Sequence, residues 1–307
     1  MKILHLDPPT APAWVREVLG SEAKEQPAVL RESLVVRLEQ SRDASFLRAT
    51  FVRAADLDDP SFLAAVEGVY TTIGEILRAR GELPLRFWNY IPEIRRRAPG
   101  GCSRYEVFNE GRFAGYRANT LGDVLAPASG VGHRGADLVV HVLASTLAGK
   151  PLENPRQTPA YRYSRRYGPV PPCFSRASLL ERPLPPCDGA RAAIVSGTAS
   201  VTGEDSRHPG DLEAQLHETL LNLASLSAAL AGECPSPRGY ELDREARRAL
   251  GRYRELRAYV VRDEDAERVA VQLRRAFPDL RRLELASADL CRSELLVEVE
   301  GLLSAEV

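Results

Sequence analysis

Near the end of the chain, CRSELLVEVEG runs from Cys291 to Gly301 and sets two carboxylates, Glu298 and Glu300, into an otherwise apolar stretch. In a strand, alternate side chains share a face. Leu296, Glu298, Glu300 and Leu302 then lie on one side, and Leu295, Val297 and Val299 on the other. On an edge strand such acids are ordinary exposed glutamates. Between apolar walls, with a like charge alongside, one of them keeps its proton near neutral pH and becomes a general acid. On that second reading Glu300→Gln is expected to be mild, moving the pH optimum through Glu298.

The other motifs carry less. Gly130–Gly135 reads GVGHRG and matches GxGxxG, but the fingerprint needs a helix after it, and DLVVHVLAS follows instead. Gly149-Lys150 runs into Pro151, so it is no phosphate loop. His5, His133, His141, His208 and His217 lack metal-ligand spacing. Cys102, Cys173, Cys187, Cys234 and Cys291 are odd in number and form no CxxC, which fits neither a disulfide framework nor a zinc site. Ser196-Gly197-Thr198 is not a nucleophile elbow. No metal, nucleotide or other cofactor is expected.

The elements that must position the acids are clearest in the last third. RAAIVSGTAS reads as a strand entering a turn, and HPGDLEAQLHETLLNLASLSAAL as a helix capped by Asp211. LRAYVVRD (strand), EDAERVAVQLRRAF (helix), LRRLELASADL (strand) and LLVEVEGLL (strand) follow. The order β-α-β-α-β-β predicts an α+β unit with helices packed on one face of a sheet. Upstream, DPSFLAAVEGVYTTIGEILRARG reads as an amphipathic helix opened by Asp59-Pro60-Ser61 and closed at Gly81, and LRFWNYIPEI as a strand. The Pro-, Arg- and Tyr-rich stretch from Pro151 to Pro186 lacks periodicity, and loops of that length line a site or join domains.

Composition sets the outer bounds. The 307 residues, 44% of them hydrophobic, allow two domains with folded cores. A formal net charge of -1 argues against nucleic acid or an anionic membrane as partner. Apart from Lys2, Lys24 and Lys150 the positive charge is arginine, the better grip for a carboxylate. The start, MKILHLDPPTAPAW, has no apolar core of a secretory signal, and no stretch approaches the ~20 apolar residues of a membrane span. A reduced cytoplasm is the expected setting.

VSGTASVTGEDSRHPGDLEAQLHETLLNL, YVVRD and LLVEVEG resemble the RidA (YjgF-type) fold in order and spacing. RFWNYIPEI, RYEVFNEGR, ENPRQTPAYRYSRRYGP and CRSELLVEVEG together resemble the chorismatases, two-domain relatives of RidA that remove pyruvate from chorismate. The resemblance runs from about Arg86 to the C-terminus, with a weak match over residues 1–80. It implies an N-terminal α/β domain over 1–155 and a RidA-like catalytic domain over 156–307. It also implies that Glu298 protonates the enolpyruvyl methylene. Arg112 would hold a carboxylate of the dianion, with Arg262 as the second arginine. Tyr161, Tyr163 and Tyr167 would bond the ring hydroxyl or a carboxylate, or serve only as packing aromatics, and Gln157 is a weaker candidate. Cys291, accompanied by Gly203, matches the branch that forms 3-hydroxybenzoate by attack of the substrate's own C4 hydroxyl. The other branch adds water to give a dihydroxy-diene carboxylate. A RidA-like imine deaminase, using Arg281 or Arg282, and a non-catalytic binding module are the alternatives. The expected partner is the small molecule chorismate, bound by a monomer or weak homo-oligomer.

Overall fold

The computed structural model describes residues 3–97, 101–119, 124–187, 189–233 and 243–305. In chain order the elements are β1 (Leu4–His5), α1 (Trp14–Leu19), β2 (Lys24–Arg31), β3 (Leu34–Gln40), β4 (Ser45–Phe51), α2 (Asp59–Arg80), β5 (Leu83–Pro92), α3 (Arg104–Arg117), β6 (Ala128–His133) and β7 (Leu138–Ser145). Then come β8 (Gly149–Leu152), β9 (Ala177–Pro183), β10 (Arg191–Ala199), β11 (Val201–Thr202), β12 (Asp205–Ser206), α4 (Leu212–Leu230), α5 (Arg244–Leu250), β13 (Tyr253–Val260), α6 (Ala266–Ala276), β14 (Arg282–Ser287) and β15 (Val297–Ser304).

Local chemistry explains the element ends. Helix α2 is capped by Asp58, one residue before the expected start, whose carboxylate accepts from the Ser61 amide. Gly81 closes it in the left-handed region at φ 64°. Ser103 and Glu106 form a reciprocal capping box at the start of α3. Asp211 caps α4 as expected, accepting from the Ala214 amide.

The strands form two large sheets. One has six strands in the order β2-β3-β4-β7-β5-β6, and the other seven in the order β1-β14-β13-β15-β10-β9-β8. Helices α2 and α3 cover one face of the first, sharing a core with Phe87, Val140 and Val142. Helices α4, α5 and α6 cover one face of the second, around Leu216, Leu273, Val297 and Val299. The two uncovered faces meet, and Trp88, Tyr90 and Leu143 of one sheet share a core with Ile194, Tyr259 and Leu302 of the other. The helices thus lie on one face of the C-terminal sheet, as the β-α-β-α-β-β order predicts. The division expected after residue 155 cuts across that sheet: β8 pairs with β9 through Leu152 and Ala177, and β1 pairs in parallel with β14.

This layering decides the environment of the two glutamates. β15 is no edge strand; it lies between β13 and β10. Glu298, Glu300 and Leu302 face the other sheet, and Val297, Val299 and Leu303 face the helices. The alternation begins only at Val297, where the strand begins, so Leu295 packs between the sheets and Leu296 on the helix side, the reverse of the simple reading. GVGHRG is mostly strand β6, with no helix after it, so it is not a dinucleotide cradle.

Candidate active site

The pairing of β10 with β15 slips at one point. Val195 faces Gly301 and Thr198 faces Val299, so Ser196 and Gly197 stand against Glu300 alone. Such a bulge kinks the strand and re-aims its neighbours. Here it brings Gly197 against the Glu298 carboxyl. A side-chain carbon at 197 would fall 2.6 Å from Glu298 Cδ and nearer still to its Oε1, and 3.0 Å from Ser129 Oγ. Gly197 is therefore the glycine that makes room for the acid. Gly203, expected to accompany Cys291, sits at the β11–β12 hairpin with φ +60°, which favours glycine for the turn itself. Its carbonyl accepts from the Thr158 amide at 2.9 Å and its amide donates to the Arg156 carbonyl at 2.9 Å. It braces the loop carrying Gln157 and does not line the cavity.

The two glutamates are both buried but differ in partners. Glu300 accepts from Arg86 Nη2 at 2.7 Å, from Trp88 Nε1 at 2.7 Å and from Ser129 Oγ. Glu298 faces the cavity with no such set of donors. Burial, then the charge of Glu300, push its pKa up to about 8, against the weaker opposing pull of Arg86 and Arg176. Near neutral pH it is a protonated acid. The expected mildness of Glu300→Gln does not fit this arrangement. Arg86 is buried in an ion pair with Glu300, and loss of that charge leaves a guanidinium inside the protein without its counter-ion.

The cavity over Glu298 has a volume of about 250 Å³, below the ~300–1,000 Å³ typical of drug-sized pockets, which suits a small ligand. It lies beyond β6, the last strand of its sheet, where Pro127 bridges to Ser175 and Val131 to Leu290. Two of its guanidiniums are buried without a carboxylate partner among the described residues. Arg112 donates to Tyr116 Oη at 3.1 Å, lies over the rings of Tyr70, Phe87 and Tyr116, and has its Nε unsatisfied. Arg176 donates to Tyr163 Oη at 2.6 Å and to the Thr158 carbonyl at 3.1 Å, and its Nε is likewise unsatisfied. A buried cation without a protein counter-charge is a place for an anionic ligand.

Several sequence expectations are redrawn. Arg262 is exposed just past the end of β13 and does not line the cavity; Arg176 is the second buried arginine there. Tyr163 and Tyr167 line the cavity, their rings 5.4 Å apart, and the Arg292 guanidinium lies 3.9 Å from the centre of the Tyr167 ring. Tyr161 is half-buried beside Arg162 and stays outside, because the turn at 160–162 directs it away. Gln157 does line the cavity, its Nε2 donating to the Val201 carbonyl and its Oε1 unsatisfied. Arg281 and Arg282 are spent on Glu17, Arg282 pairing also with Glu255, and neither reaches the cavity.

Cys291 lines the cavity as a free thiol, and burial together with the neighbouring Glu298 pushes it up to about 12, so it is a small neutral group and no nucleophile at neutral pH. Arg86, Trp88, Ser129, Gly197, Arg176 and Tyr105 were missed by sequence reasoning. Glu300 and Arg86 are 214 residues apart, and nothing local marks either as the other's partner.

Residues 23–144, which span β2 to β6 and nearly all of β7, match the family described as chorismatase FkbO/Hyg5-like, N-terminal. A 3-hydroxybenzoate synthase from Streptomyces hygroscopicus is 36% identical over 244 residues, which cover 78% of this chain and 69% of that protein. A chorismatase from Streptomyces rapamycinicus is 30% identical over 257 residues, 79% of this chain and 71% of its own. A chorismatase crystal structure superposes with a TM-score of 0.71 at 26% identity, over 92% of this chain and 80% of that one.

Proposed function

The chain belongs to the chorismatase family, and from that premise we propose that it converts chorismate to 3-hydroxybenzoate and pyruvate, with Glu298 as the general acid. One observation carries the reading: a buried carboxyl held protonated near neutral pH faces a small cavity with two buried guanidiniums that, among the described residues, form no ion pair with a carboxylate. Chorismate brings the matching chemistry. It has two carboxylates, and its enolpyruvyl methylene must receive a proton before the ether can break.

Arg112 and Arg176 take the two carboxylates. Arg176, whose charge is felt by Glu298, takes the enolpyruvyl one, which sets the methylene against the acid. Proton transfer from Glu298 to the methylene leaves an oxocarbenium ion on the side chain. The C3–O bond then breaks, its electron pair forming the keto group of pyruvate. The C4 oxygen bonds to C3, and its proton passes to the Glu298 carboxylate. The resulting arene oxide opens at C4 and loses the hydrogen at C3 to aromatise as 3-hydroxybenzoate. The atoms balance without water, which is why a dry, closely shaped pocket matters here. Cys291, small and neutral beside Glu298, leaves space for the ring to turn its own hydroxyl toward C3. Tyr163, Tyr167 and Gln157 complete the polar wall.

The reading places the enzyme in a reducing cytoplasm, as a monomer or weak homo-oligomer. The free cysteines Cys102, Cys173 and Cys291 fit that setting, and among the described residues no helix is long and apolar enough to cross a membrane. Purified protein incubated with chorismate alone tests the function. Equal amounts of pyruvate and 3-hydroxybenzoate are expected. Pyruvate with the dihydroxy-diene acid would assign the hydrolytic branch, and no pyruvate at all would refute the reading.

A further inference from the structure

Helix α3 turns Tyr105, Phe108 and Arg112 toward the cavity. Phe108 packs and Arg112 carries charge, but Tyr105 has no role so far. Its ring stacks on Phe108, with centroids 6.4 Å apart and 12° between planes. It also rests on Gly130, where an added side-chain carbon would come within 3.0 Å of its Cε2. A ring held on both sides delivers its hydroxyl to one place. That place is on the cavity wall that Tyr105 shares with Cys291, Arg112 and Glu298. Tyr105 is only half-buried, and it lines the cavity.

A second observation lies one helical turn along. Asn109 is 1% exposed, and neither its Oδ1 nor its Nδ2 has a hydrogen-bond partner within normal distance. An amide left unpaired inside a protein is costly and calls for a reason. Its neighbour four residues back, on the same face of α3, is Tyr105. The pair is a phenol with an orienting amide behind it and the ligand space in front.

We propose that Tyr105 hydrogen-bonds the C4 hydroxyl of the substrate, oriented by Asn109, and that this contact favours internal attack on C3 over attack by water. The inference rests on the chorismate reading above. Cys291 and Glu298 flank the reacting carbons in that reading, so a phenol beside both meets the C4 oxygen. Burial raises the pKa of Tyr105, so it stays a neutral phenol. It orients the C4 oxygen by donating its phenol O–H to a lone pair there and takes no proton, which leaves the C4 hydrogen free to turn toward Glu298. That proton still passes to the Glu298 carboxylate as the C4 oxygen bonds to C3.

Tyr105→Phe keeps the ring and removes only the hydroxyl. With chorismate, its pyruvate release is expected to slow by about 3- to 10-fold, the worth of one neutral hydrogen bond. The ratio of 3-hydroxybenzoate to hydrated diene is expected to fall by a similar factor. Asn109→Leu, a positioning change, should shift the same ratio in the same direction by less. Product chromatography on variants shown folded by circular dichroism reads both. An unchanged ratio in Tyr105→Phe, with a parent that makes 3-hydroxybenzoate, overturns this inference and leaves the chorismate reading standing. A parent that makes only the diene also overturns it. A parent that releases no pyruvate overturns the chorismate reading and this inference together.

Discussion

Glu298→Gln separates the two consequences of burying an acid. A carboxyl pushed up to about 8 is about 90% protonated at pH 7, whereas at its unperturbed 4.5 it would be about 0.3% protonated. Burial and the Glu300 charge thus raise the supply of acid by about 300-fold at neutral pH. Glutamine keeps the shape but has no proton to give, so pyruvate release should fall by about 10²–10⁴-fold. Stability should move the other way. In the parent, the unfolded glutamate ionises above about 4.5 while the folded one holds its proton to about 8. The folded state therefore binds more protons between these values, and stability falls as pH rises through that window. Glutamine has no such slope, so the variant should gain on the order of 2–4 kcal/mol over the parent at pH 7, and little at pH 4. Coupled pyruvate assays and thermal melts from pH 4 to 8 measure both. Full turnover in Glu298→Gln, or a melting difference that does not grow with pH, would refute the argument.

Glu300→Gln should cost about 3–5 kcal/mol, because it strands Arg86 in the interior; in whatever folds, the alkaline fall in activity should begin at lower pH, since the like charge that raises Glu298 is gone. Arg112→Lys keeps a charge but loses the planar fork, and kcat/KM should drop by about 30- to 1000-fold; a change within about threefold would mean that Arg112 does not hold substrate. Gly197→Ala forces the Glu298 carboxyl aside, and since displacement by ~1 Å can cost ~10²-fold, pyruvate release should fall by about that factor with secondary structure intact. Cys291→Ala or Val should change the ring product, toward the hydrated diene, more than the rate of pyruvate release; an identical product in both variants would leave Cys291 as core packing.

What could be read in the sequence followed from local chemistry. The caps at Asp211 and Gly81, the apolar periods of α2 and α4 and the strands around His141 and Val299 are short-range signals, and they lie where the patterns put them. The acid itself was legible because two glutamates in an apolar strand break its pattern. Arg112, Gln157, Tyr163, Tyr167 and Cys291 were named through the family resemblance and line the cavity, but the residues around them were not legible. Arg176 sits in a stretch without periodicity, and its place in the cavity depends on segments far apart in the chain coming together. Gly203 and Gly197 look alike in the sequence, and only the strand register shows that one serves a turn and the other a carboxyl. Arg262 failed for a related reason: two residues past the strand, alternation no longer says which way a side chain points.

The two glutamates on β15 share a face, a strand and a buried setting, yet they end in different states because the opposite sheet treats them differently. β5 and β6 supply Arg86, Trp88 and Ser129 to Glu300 and leave Glu298 without such donors. Glu300 becomes a fixed charge, and that charge, two residues away on the same face, helps hold the proton on Glu298. The bulge at Ser196–Gly197 then opens the one direction in which the acid can meet a ligand. The bulge belongs to the C-terminal sheet, but the unequal treatment of the two glutamates does not exist in that sheet alone. An acid strand of this kind, met by solvent instead of by β5, would hold two ordinary ionised glutamates. The N-terminal sheet is therefore part of the proposed chemistry: it helps hold the proton on Glu298 by stabilising its charged neighbour, and its layer, through α3, brings Arg112 and Tyr105 to the same cavity.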